Sequence, residues 1–330
     1  MSETVLKTRL TEKFDLTYPI VLAPMAPASG GALAGAVSAA GGLGLVGGGY
    51  GDADWIRTEF ANAGNQKVGC GFITWSMARD PGLLDLALSY NPVAMMLSFA
   101  DPAPFAPRIK AAGIPLICQV QTLDHARRAL EVGADILVAQ GTEAGGHGQA
   151  ARSTLPFVPA VADLLAQRAP DALLLAAGGI ADGRGVAAAL MLGADGVLMG
   201  TRFWATQEAL VHPAAKARVL DADGDETLRT RVYDIVRKKA WPAIYTGRLM
   251  RNGFITRWHG QEEELERQRA HEIGAVEAAG ETGDFDVANV TVGESIGLIR
   301  DIPPAGDLVR RIGEEAIARL KGASALLSES

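Results

Sequence analysis

Residues Val138 to Gly148 read V-A-Q-G-T-E-A-G-G-H-G, in which an apolar strand runs into a loop with four glycines, one acid and one histidine. Glycine lets backbone N–H groups approach a ligand closely and adopt a positive φ. The pattern therefore predicts that His147 lies at the carboxyl end of a strand, on a loop shaped for a flat or anionic ligand. A single loop histidine is often only hydrogen-bonded to backbone, but the surrounding glycines favour a functional role, and we take His147 as the chemical centre.

On both sides of this stretch, short apolar runs alternate with helical patterns. Strands are predicted at residues 19–23, 43–46, 68–74, 93–97, 115–120, 136–139, 173–177 and 196–199. Eight β/α repeats within about 200 residues are typical of a closed parallel barrel, although an open doubly wound sheet gives the same local pattern. No G-x-G-x-x-G opens the first helix, as a dinucleotide-binding open sheet would require. The sequence therefore predicts an α/β fold, a (β/α)8 TIM barrel.

The regular alternation of predicted strands and helices ends at about Thr206. Residues 211–251 predict two or three helices, 261–278 a charged helix with a solvated acidic face, and 280–286 an acidic loop. Residues 307–320 have apolar positions at helical spacing and predict a helix that returns to cover the barrel. The predicted domains are a barrel of residues 1–210, completed by the C-terminal helix within 295–330, and a helical substrate-covering domain of residues 211–294.

Composition favours a small-molecule ligand. The formal net charge is -7 and the pI is about 5.4, so there is no basic excess to bind nucleic acid or an anionic membrane. Cys70 and Cys118 lie in apolar runs and form no C-x-x-C, which predicts buried free thiols in a reducing compartment and neither a metal site nor a disulfide.

The N-terminal region predicts neither a signal peptide nor a membrane span. Residues 1–14 mix acids with bases and contain no apolar core. Residues 20–50 carry no charge, but Pro24, Pro27 and nine glycines divide them into strand, helix and strand. These features predict a cytoplasmic protein.

Two further glycine clusters follow the seventh and eighth predicted strands. They are A-G-G-I-A-D-G from Ala177 and M-G-T-R from Met199. In a β/α barrel, the loops after these strands and a short helix N-terminus commonly form a phosphate site. We therefore predict that backbone N–H groups of Gly178, Gly179, Gly200 and Thr201 bind a phosphate.

A phosphate at one side and a histidine loop two strands away leave room for an extended, flat cofactor. Flavin mononucleotide (FMN) suits that description. The Ala23-Pro24-Met25 turn could contact its N5 and O4 edge, and Gln119 or Gln121 could supply a polar side chain. Met25 could equally serve only to pack the barrel.

Several of these motifs together resemble those of a known family. The motifs A-P-M-A, A-G-A-V-S-A-A-G-G-L-G, G-T-E-A-G-G-H-G, A-A-G-G-I-A-D-G-R-G and L-G-A-D-G-V-L-M-G-T-R-F look, in this order, like the nitronate monooxygenases, formerly called 2-nitropropane dioxygenases. The resemblance spans about residues 17–212, and G-E-S-I-G-L-I-R-D-I at 293–302 is also similar. It implies an FMN-binding barrel with a second helical domain and no metal.

The resemblance also implies residue roles. Ala23, Pro24, Met25 and Gly146 would approach the flavin, the four phosphate-binding residues would keep that role, and His147 would be the catalytic base. The chain departs from many relatives in having Gly69-Cys70-Gly71-Phe72 where they have a third-strand asparagine, and from some in having Gln119 where they have a lysine. The first departure removes a side-chain hydrogen bond to the flavin.

Three functions are compared. The preferred one is oxidation of a nitronate or nitroalkane by O2 to a carbonyl compound and nitrite, because the full pattern with the returning C-terminal helix looks closer to the oxidases. A histidine suits this chemistry, since it can act as a base near neutral pH and also bear positive charge beside an anion. The alternative is an FMN-dependent NAD(P)H reductase acting on enoyl-acyl-carrier protein or quinone, which would share the E-A-G-G-H loop. The third is a phosphate-binding barrel without redox chemistry. The walls of the pocket are expected to come from the helical domain of residues 211–294, where the resemblance is weaker. A homo-oligomer is possible from the sequence. Candidate wall residues are Trp75, Trp204, Trp241 and Tyr245.

Overall fold

The computed structural model describes residues 5–327, so residues 1–4 and 328–330 of the predicted domains lie outside the described residues. The strands are β1 (Ile20–Leu22), β2 (Leu45–Gly47), β3 (Gly69–Ile73), β4 (Met95–Ser98), β5 (Leu116–Val120), β6 (Ile136–Gln140), β7 (Gly146–Gly148), β8 (Leu173–Ala177), β9 (Gly196–Met199), β10 (Thr227–Thr230) and β11 (Thr246–Met250). The helices are α1 (Arg9–Phe14), α2 (Gly31–Ala39), α3 (Ala53–Asn62), α4 (Thr74–Met77), α5 (Gly82–Leu88), α6 (Ala106–Ala111), α7 (Leu123–Glu131), α8 (Thr154–Arg168), α9 (Gly183–Met191), α10 (Thr201–Trp204), α11 (Pro213–Leu220), α12 (Val232–Val236), α13 (Gly253–Trp258), α14 (Glu262–Thr282) and α15 (Ala305–Gly322).

Eight parallel strands form the barrel, in the order β1-β9-β8-β6-β5-β4-β3-β2. The two ends of this order meet, because Val21 bridges Leu43 in parallel register just before β2. There the Leu22 N–H donates to the Leu43 carbonyl over 2.9 Å, and the Leu43 N–H donates to the Ile20 carbonyl over 2.9 Å. The predicted (β/α)8 TIM barrel is confirmed, with each strand at its predicted place in the chain.

The barrel strands are buried on both faces, which explains their continuous apolar runs. Val21, Val138 and Leu175 belong to the cluster inside the barrel, whereas their neighbours alternate outward to the helices. Cys70 and Cys118 are among the outward-facing residues, and burial raises the pKa of each thiol to about 12. Both are free thiols, as predicted, and burial keeps them in the unreactive protonated form.

The returning C-terminal helix is confirmed. α15 packs against α9 and α2 and buries Leu308, Val309 and Ile312. The contact with α9 is close, since a Cβ atom at Gly183 would lie 2.3 Å from the Glu315 Cβ atom. A side chain at position 183 would therefore push the two helices apart.

The lobe differs from its prediction. The two or three helices predicted for residues 211–251 are wrong in part, because β10 and β11 lie in this segment beside α11 and α12. These strands form an antiparallel sheet with β7, in the order β10-β11-β7. Each has only four or five residues, a length at which alternation is too brief to tell a strand from a helix. The predicted loop at 280–286 also begins later, since α14 continues to Thr282.

Among residues 5–327, no helix is both long and apolar enough to cross a membrane.

Candidate active site

A cavity of about 480 Å³ lies at the carboxyl ends of the barrel strands, between the barrel and the lobe. Gln121, the alternative to Gln119, does not line this cavity, but the structure brings the ten other predicted site residues to its wall. They are Ala23, Pro24, Met25, Gln119, Gly146, His147, Gly178, Gly179, Gly200 and Thr201. They come from turns spread over more than 170 residues of sequence, and the closed barrel is what collects them at one mouth.

The turns after β8 and β9 form an anion cradle, which we define as Gly178, Gly179, Gly200 and Thr201. Within residues 5–327, the backbone N–H groups of these four residues donate to no protein acceptor. Gly178 and Gly179 have φ of 107° and 74°, a conformation that side chains with a Cβ atom rarely adopt. Within the described residues, the anion cradle thus offers four free backbone N–H donors. The positive φ angles of its first turn are readily adopted only by glycine.

Thr201 also ties the cradle to the lobe. Its hydroxyl oxygen accepts a hydrogen bond of 2.9 Å from the backbone N–H of Gly293. The hydroxyl hydrogen stays free to donate to a ligand, because a threonine hydroxyl accepts and donates at once. The G-E-S-I-G-L segment that resembles the family is therefore packed directly on the cradle.

Gly71 of the third strand packs closely against the A-P-M turn. A Cβ atom at Gly71 would lie 2.3 Å from the Pro24 Cγ atom, so the proline ring occupies the space of a side chain there. Both residues line the cavity. A side chain at position 71 would therefore require the A-P-M turn to move.

His147 lies on β7 rather than on a free loop, which corrects the prediction. Its partner in the lobe sheet is Gly247 of β11. The imidazole Nε2 atom is 3.0 Å from each carboxylate oxygen of Asp234, and the ring lies parallel to the indole of Trp241, with ring centres 3.5 Å apart and 4° between the planes. The side chains of His147 and Asp234 are 17% and 11% exposed, so the pair is shielded but reachable from the cavity.

This geometry defines the tautomer of a neutral His147. A carboxylate can only accept, so Nε2 carries the hydrogen and donates it to Asp234. The lone pair is then on Nδ1, which is the nitrogen able to take a proton. Sequence reasoning missed Asp234, which lies 87 residues from His147, on a short helix in a segment without a recognised motif.

Other side chains fix the backbone around His147. The Gln140 Oε1 atom accepts from Gln119 Nε2 over 3.1 Å and from Gln121 Nε2 over 2.5 Å, while Gln140 Nε2 donates to the His147 carbonyl over 3.4 Å. Gln119 and Gln121, both named as candidates, therefore act in one amide cluster. Gln140 itself was missed, although it ends the strand that leads into the glycine loop.

Arg229 of β10 supports the same loop. Its guanidinium donates to the backbone carbonyls of Thr142, Gly148 and Thr246 over 2.7 to 3.2 Å. Burial lowers its pKa to about 10. Since one rigid guanidinium satisfies carbonyls on three segments, Arg229 fixes the His147 strand against the lobe.

Glu143, the acid of the loop, is also committed to structure. Its carboxylate accepts from the Thr154 N–H over 2.9 Å and from the Thr154 hydroxyl over 3.0 Å, at the start of α8. Both oxygens are thus engaged, and Glu143 is not available as a second proton carrier in this arrangement.

Aromatic side chains form the wall near His147. Tyr50, Phe99, Trp204 and Trp241 line the cavity, whereas Trp75 and Tyr245 pack behind Trp241. The Trp241 Nε1 atom donates to the Tyr50 hydroxyl over 3.1 Å, and burial raises the pKa of Tyr50 to about 12. Of the four predicted wall residues, Trp204 and Trp241 reach the cavity directly.

The cavity suits a flat, phosphate-bearing molecule. The anion cradle is at one side, and the apolar A-P-M turn, the amide cluster and His147 complete the wall. Among residues 5–327, no group of three or more histidine, cysteine or acidic side chains is placed to hold a metal. The residues present therefore fit the FMN predicted from the sequence.

Comparison with known proteins identifies a family and similar structures. The model of the nitronate monooxygenase family matches residues 7–65 and 63–315. A nitronate monooxygenase from Neurospora crassa is 33% identical, over 95% of this chain and 93% of that protein. The structure of FabK from Thermotoga maritima has a TM-score of 0.84 at 29% identity, covering 98% of this chain and all of FabK. The nitroalkane oxidase from Streptomyces ansochromogenes has a TM-score of 0.78 at 26% identity, covering 96% and 99%.

Proposed function

The chain belongs to the nitronate monooxygenase family, and from that premise we propose that it binds FMN and oxidises nitronates or nitroalkanes with O2 to carbonyl compounds and nitrite. Membership makes it a flavin-dependent monooxygenase. FMN as the flavin, the nitronate as substrate and O2 as acceptor are the proposed parts.

The proposed cofactor site follows the cavity wall. The anion cradle would bind the phosphate through its four backbone N–H groups and the Thr201 hydroxyl. Ala23, Pro24, Met25 and Gly146 would lie against the flat ring, and Gln119 would offer its free amide oxygen. When bound, the flavin would supply the electron-accepting chemistry, while the protein binds, orients and excludes water.

The arrangement of His147 carries the proposed mechanism. Its Nδ1 atom would remove the α-proton of a neutral nitroalkane, since Nε2–H is held by Asp234. The imidazolium formed is stabilised by the Asp234 carboxylate and by the face of Trp241. A nitronate is already an anion, so with that substrate His147 has no proton to remove.

The electron donor is tested by anaerobic stopped-flow mixing of the flavin-loaded protein with propyl-2-nitronate and, separately, with NADH and NADPH. We expect the nitronate alone to change the flavin absorbance, and air to restore it. Reduction by a nicotinamide alone would instead move the protein to the reductase class that shares the E-A-G-G-H loop.

The role of His147 is tested by His147→Gln. We expect this variant to retain FMN but to lose turnover of 2-nitropropane by about 10²- to 10⁴-fold, the usual contribution of a general base. Turnover of propyl-2-nitronate should fall much less. His271→Gln is the control, because its side chain is 87% exposed on α14. Equal losses with both substrates would remove proton abstraction from the mechanism.

A further inference from the structure

Four charged side chains of the described part of the chain line the cavity, and the two acidic ones have hydrogen-bond partners there whereas the two basic ones do not. The two carboxylates, Glu143 and Asp234, are bound to Thr154 and His147. The two cations, Arg237 and Lys239, line the same cavity. Within residues 5–327, neither cation has a carboxylate oxygen within 4.0 Å, and neither side chain donates a hydrogen bond to a protein acceptor. Within the described residues, the wall therefore presents two positive charges that have neither a salt bridge nor a side-chain hydrogen bond to the protein.

Aromatic rings, not acids, hold these cations in place. The Arg237 guanidinium lies over the Tyr233 ring at 5.5 Å, and the Lys239 ammonium lies over the Tyr50 ring at 4.2 Å. A cation–π contact attracts the charge but uses none of its N–H hydrogens as conventional donors. Arg237 is also half-buried, and burial lowers its pKa. A partly buried guanidinium whose N–H groups lack acceptors is destabilising. An anionic ligand that accepts hydrogen bonds from it would offset that cost.

The backbone directs both cations to the cavity. Asp234 and Arg237 are three residues apart at the end of α12, so they lie on the same face of that turn. Lys238 then adopts φ 52°, and the Lys239 N–H returns to the Asp234 carbonyl over 2.8 Å. This reversal ends the helix and brings Lys239 and Trp241 back to the wall. The cations thus belong to the lobe, and the anion cradle belongs to the barrel.

We propose that Arg237 and Lys239 form a cationic subsite for a second anionic group of the substrate, a carboxylate or a phosphate remote from the reacting carbon. The inference deepens the proposed function and rests on it. The cradle is reserved for the flavin phosphate, so a bound molecule meets these two cations only through its own charge. The subsite would select substrates that carry such a group over simple alkyl nitronates.

Binding is tested on the FMN-loaded protein, so that the anion cradle is already filled. Tryptophan fluorescence is followed while succinate, glycerol 3-phosphate or uncharged succinamide is added, because Trp241 lies on the same wall. We expect saturable changes with the anions and none with succinamide. Arg237→Met should raise the Kd of the preferred anion at least tenfold, and the tighter of the two anions identifies the group.

Two further variants keep this test clear. Lys239→Met changes an exposed side chain and should also raise the Kd of the anion by several-fold. Arg231→Met removes the same charge from an exposed residue of the same segment that does not line the cavity, and should leave the Kd unchanged. Equal affinity in all variants, or no saturable binding in the unaltered protein, would overturn the subsite.

A kinetic comparison separates the subsite from the proposed function. The nitronates of 1-nitrobutane and 4-nitrobutanoate differ by one terminal carboxylate. We expect Arg237→Met to raise KM at least tenfold for the carboxylated nitronate and less than twofold for the other, with kcat retained. Equal effects on both would show that the cations hold the reacting group, against the proposal. Anion binding without turnover of either nitronate would contradict the proposed function and leave the subsite standing.

Discussion

At the scale of single residues, the proposed proton transfer depends on how His147 is held. Asp234 engages one ring nitrogen and Trp241 covers one ring face, and both come from a segment of the lobe only eight residues long. Gln140 and Arg229 hold the backbone on either side. The imidazole is therefore fixed in plane, in tautomer and in position before any substrate arrives, which is the condition for efficient proton transfer.

Asp234→Asn tests the tautomer. An amide can donate as well as accept, so His147 is no longer forced to carry its hydrogen on Nε2. We expect kcat with 2-nitropropane to fall about 10- to 100-fold, less than the 10²- to 10⁴-fold contributed by a general base itself. Turnover of propyl-2-nitronate should change little, as measured by steady-state kinetics with both substrates.

Asp221→Asn is the matched control, because Asp221 is exposed at the end of α11 and does not line the cavity. A loss of the same size with the nitronate would assign Asp234 to flavin or substrate binding instead of to His147.

At the scale of elements, one carboxylate connects the end of the barrel to its C-terminal helix. Asp301 accepts from Arg202, in α10, and from Arg311, in α15. Arg202 is only 3% exposed, and burial lowers its pKa to about 10. The Arg311 guanidinium, together with that of Arg202, holds the pKa of Asp301 below its ordinary value. The returning helix is thus secured by charge as well as by apolar packing.

The lowered pKa of Asp301 gives stability a definite dependence on pH. In the unfolded chain an aspartate titrates near pH 3.9, so the Asp301 contribution is fully present above that value and is lost as the pH falls through the lowered folded-state pKa. Asp301→Asn should therefore lower the urea midpoint clearly at pH 7 and pH 5, and the difference from the unaltered protein should shrink below about pH 4.

Asp307→Asn serves as its control, since Asp307 is exposed and, within residues 5–327, pairs only with Arg310 of the same helix. Its effect should be within about 0.5 kcal/mol, as for most surface ion pairs. An Asp301→Asn difference that is the same at every pH would show that the carboxylate charge is not the stabilising feature.

At the scale of the whole molecule, barrel and lobe share the cavity, so a ligand bound there contacts both. β11 pairs with β7, Gly293 donates to Thr201, and Lys216 of α11 donates to the carbonyls of Thr206 and Ala209. Binding to the folded protein alone raises the free energy of unfolding by about 2.7 kcal/mol at a ligand concentration 100 times Kd. FMN should accordingly raise the thermal midpoint of the entire chain.

Gly200→Asp should abolish that increase. The φ of Gly200 is -106°, which any residue adopts, and a Cβ atom would lie 3.3 Å from the flexible Met25 sulfur, so the variant should fold. The carboxylate would compete for the free N–H groups of the anion cradle and repel a phosphate. We expect the midpoint without flavin to be unchanged and the shift with FMN to disappear in differential scanning fluorimetry.

Gly200→Ser is the control of similar size without the charge, and it should keep most of the shift. A full FMN shift in Gly200→Asp would place the phosphate elsewhere and would falsify the anion cradle.

Much of the barrel could be predicted because each of its signals is local. Strands buried on both faces require apolar runs, and Gly178 and Gly179 sit where φ is positive. The lobe was predicted less well. Its strands have four or five residues, and Arg229 and Arg248 face the loop carbonyls from positions that look like a charged helix in sequence.

The eightfold β/α alternation and the glycine turns after β8 and β9 could be read from the chain alone, because they depend on periodicity and on the conformation of single residues. His147 as the central residue stays a prediction from the same local patterns. The side chains that surround His147 could not be predicted in this way. Asp234 and Trp241 are 87 and 94 residues away from it, and they reach it through the pairing of β11 with β7 and the turn at Lys238. Such contacts follow from how separate segments pack in space, and no local pattern in the chain records that packing.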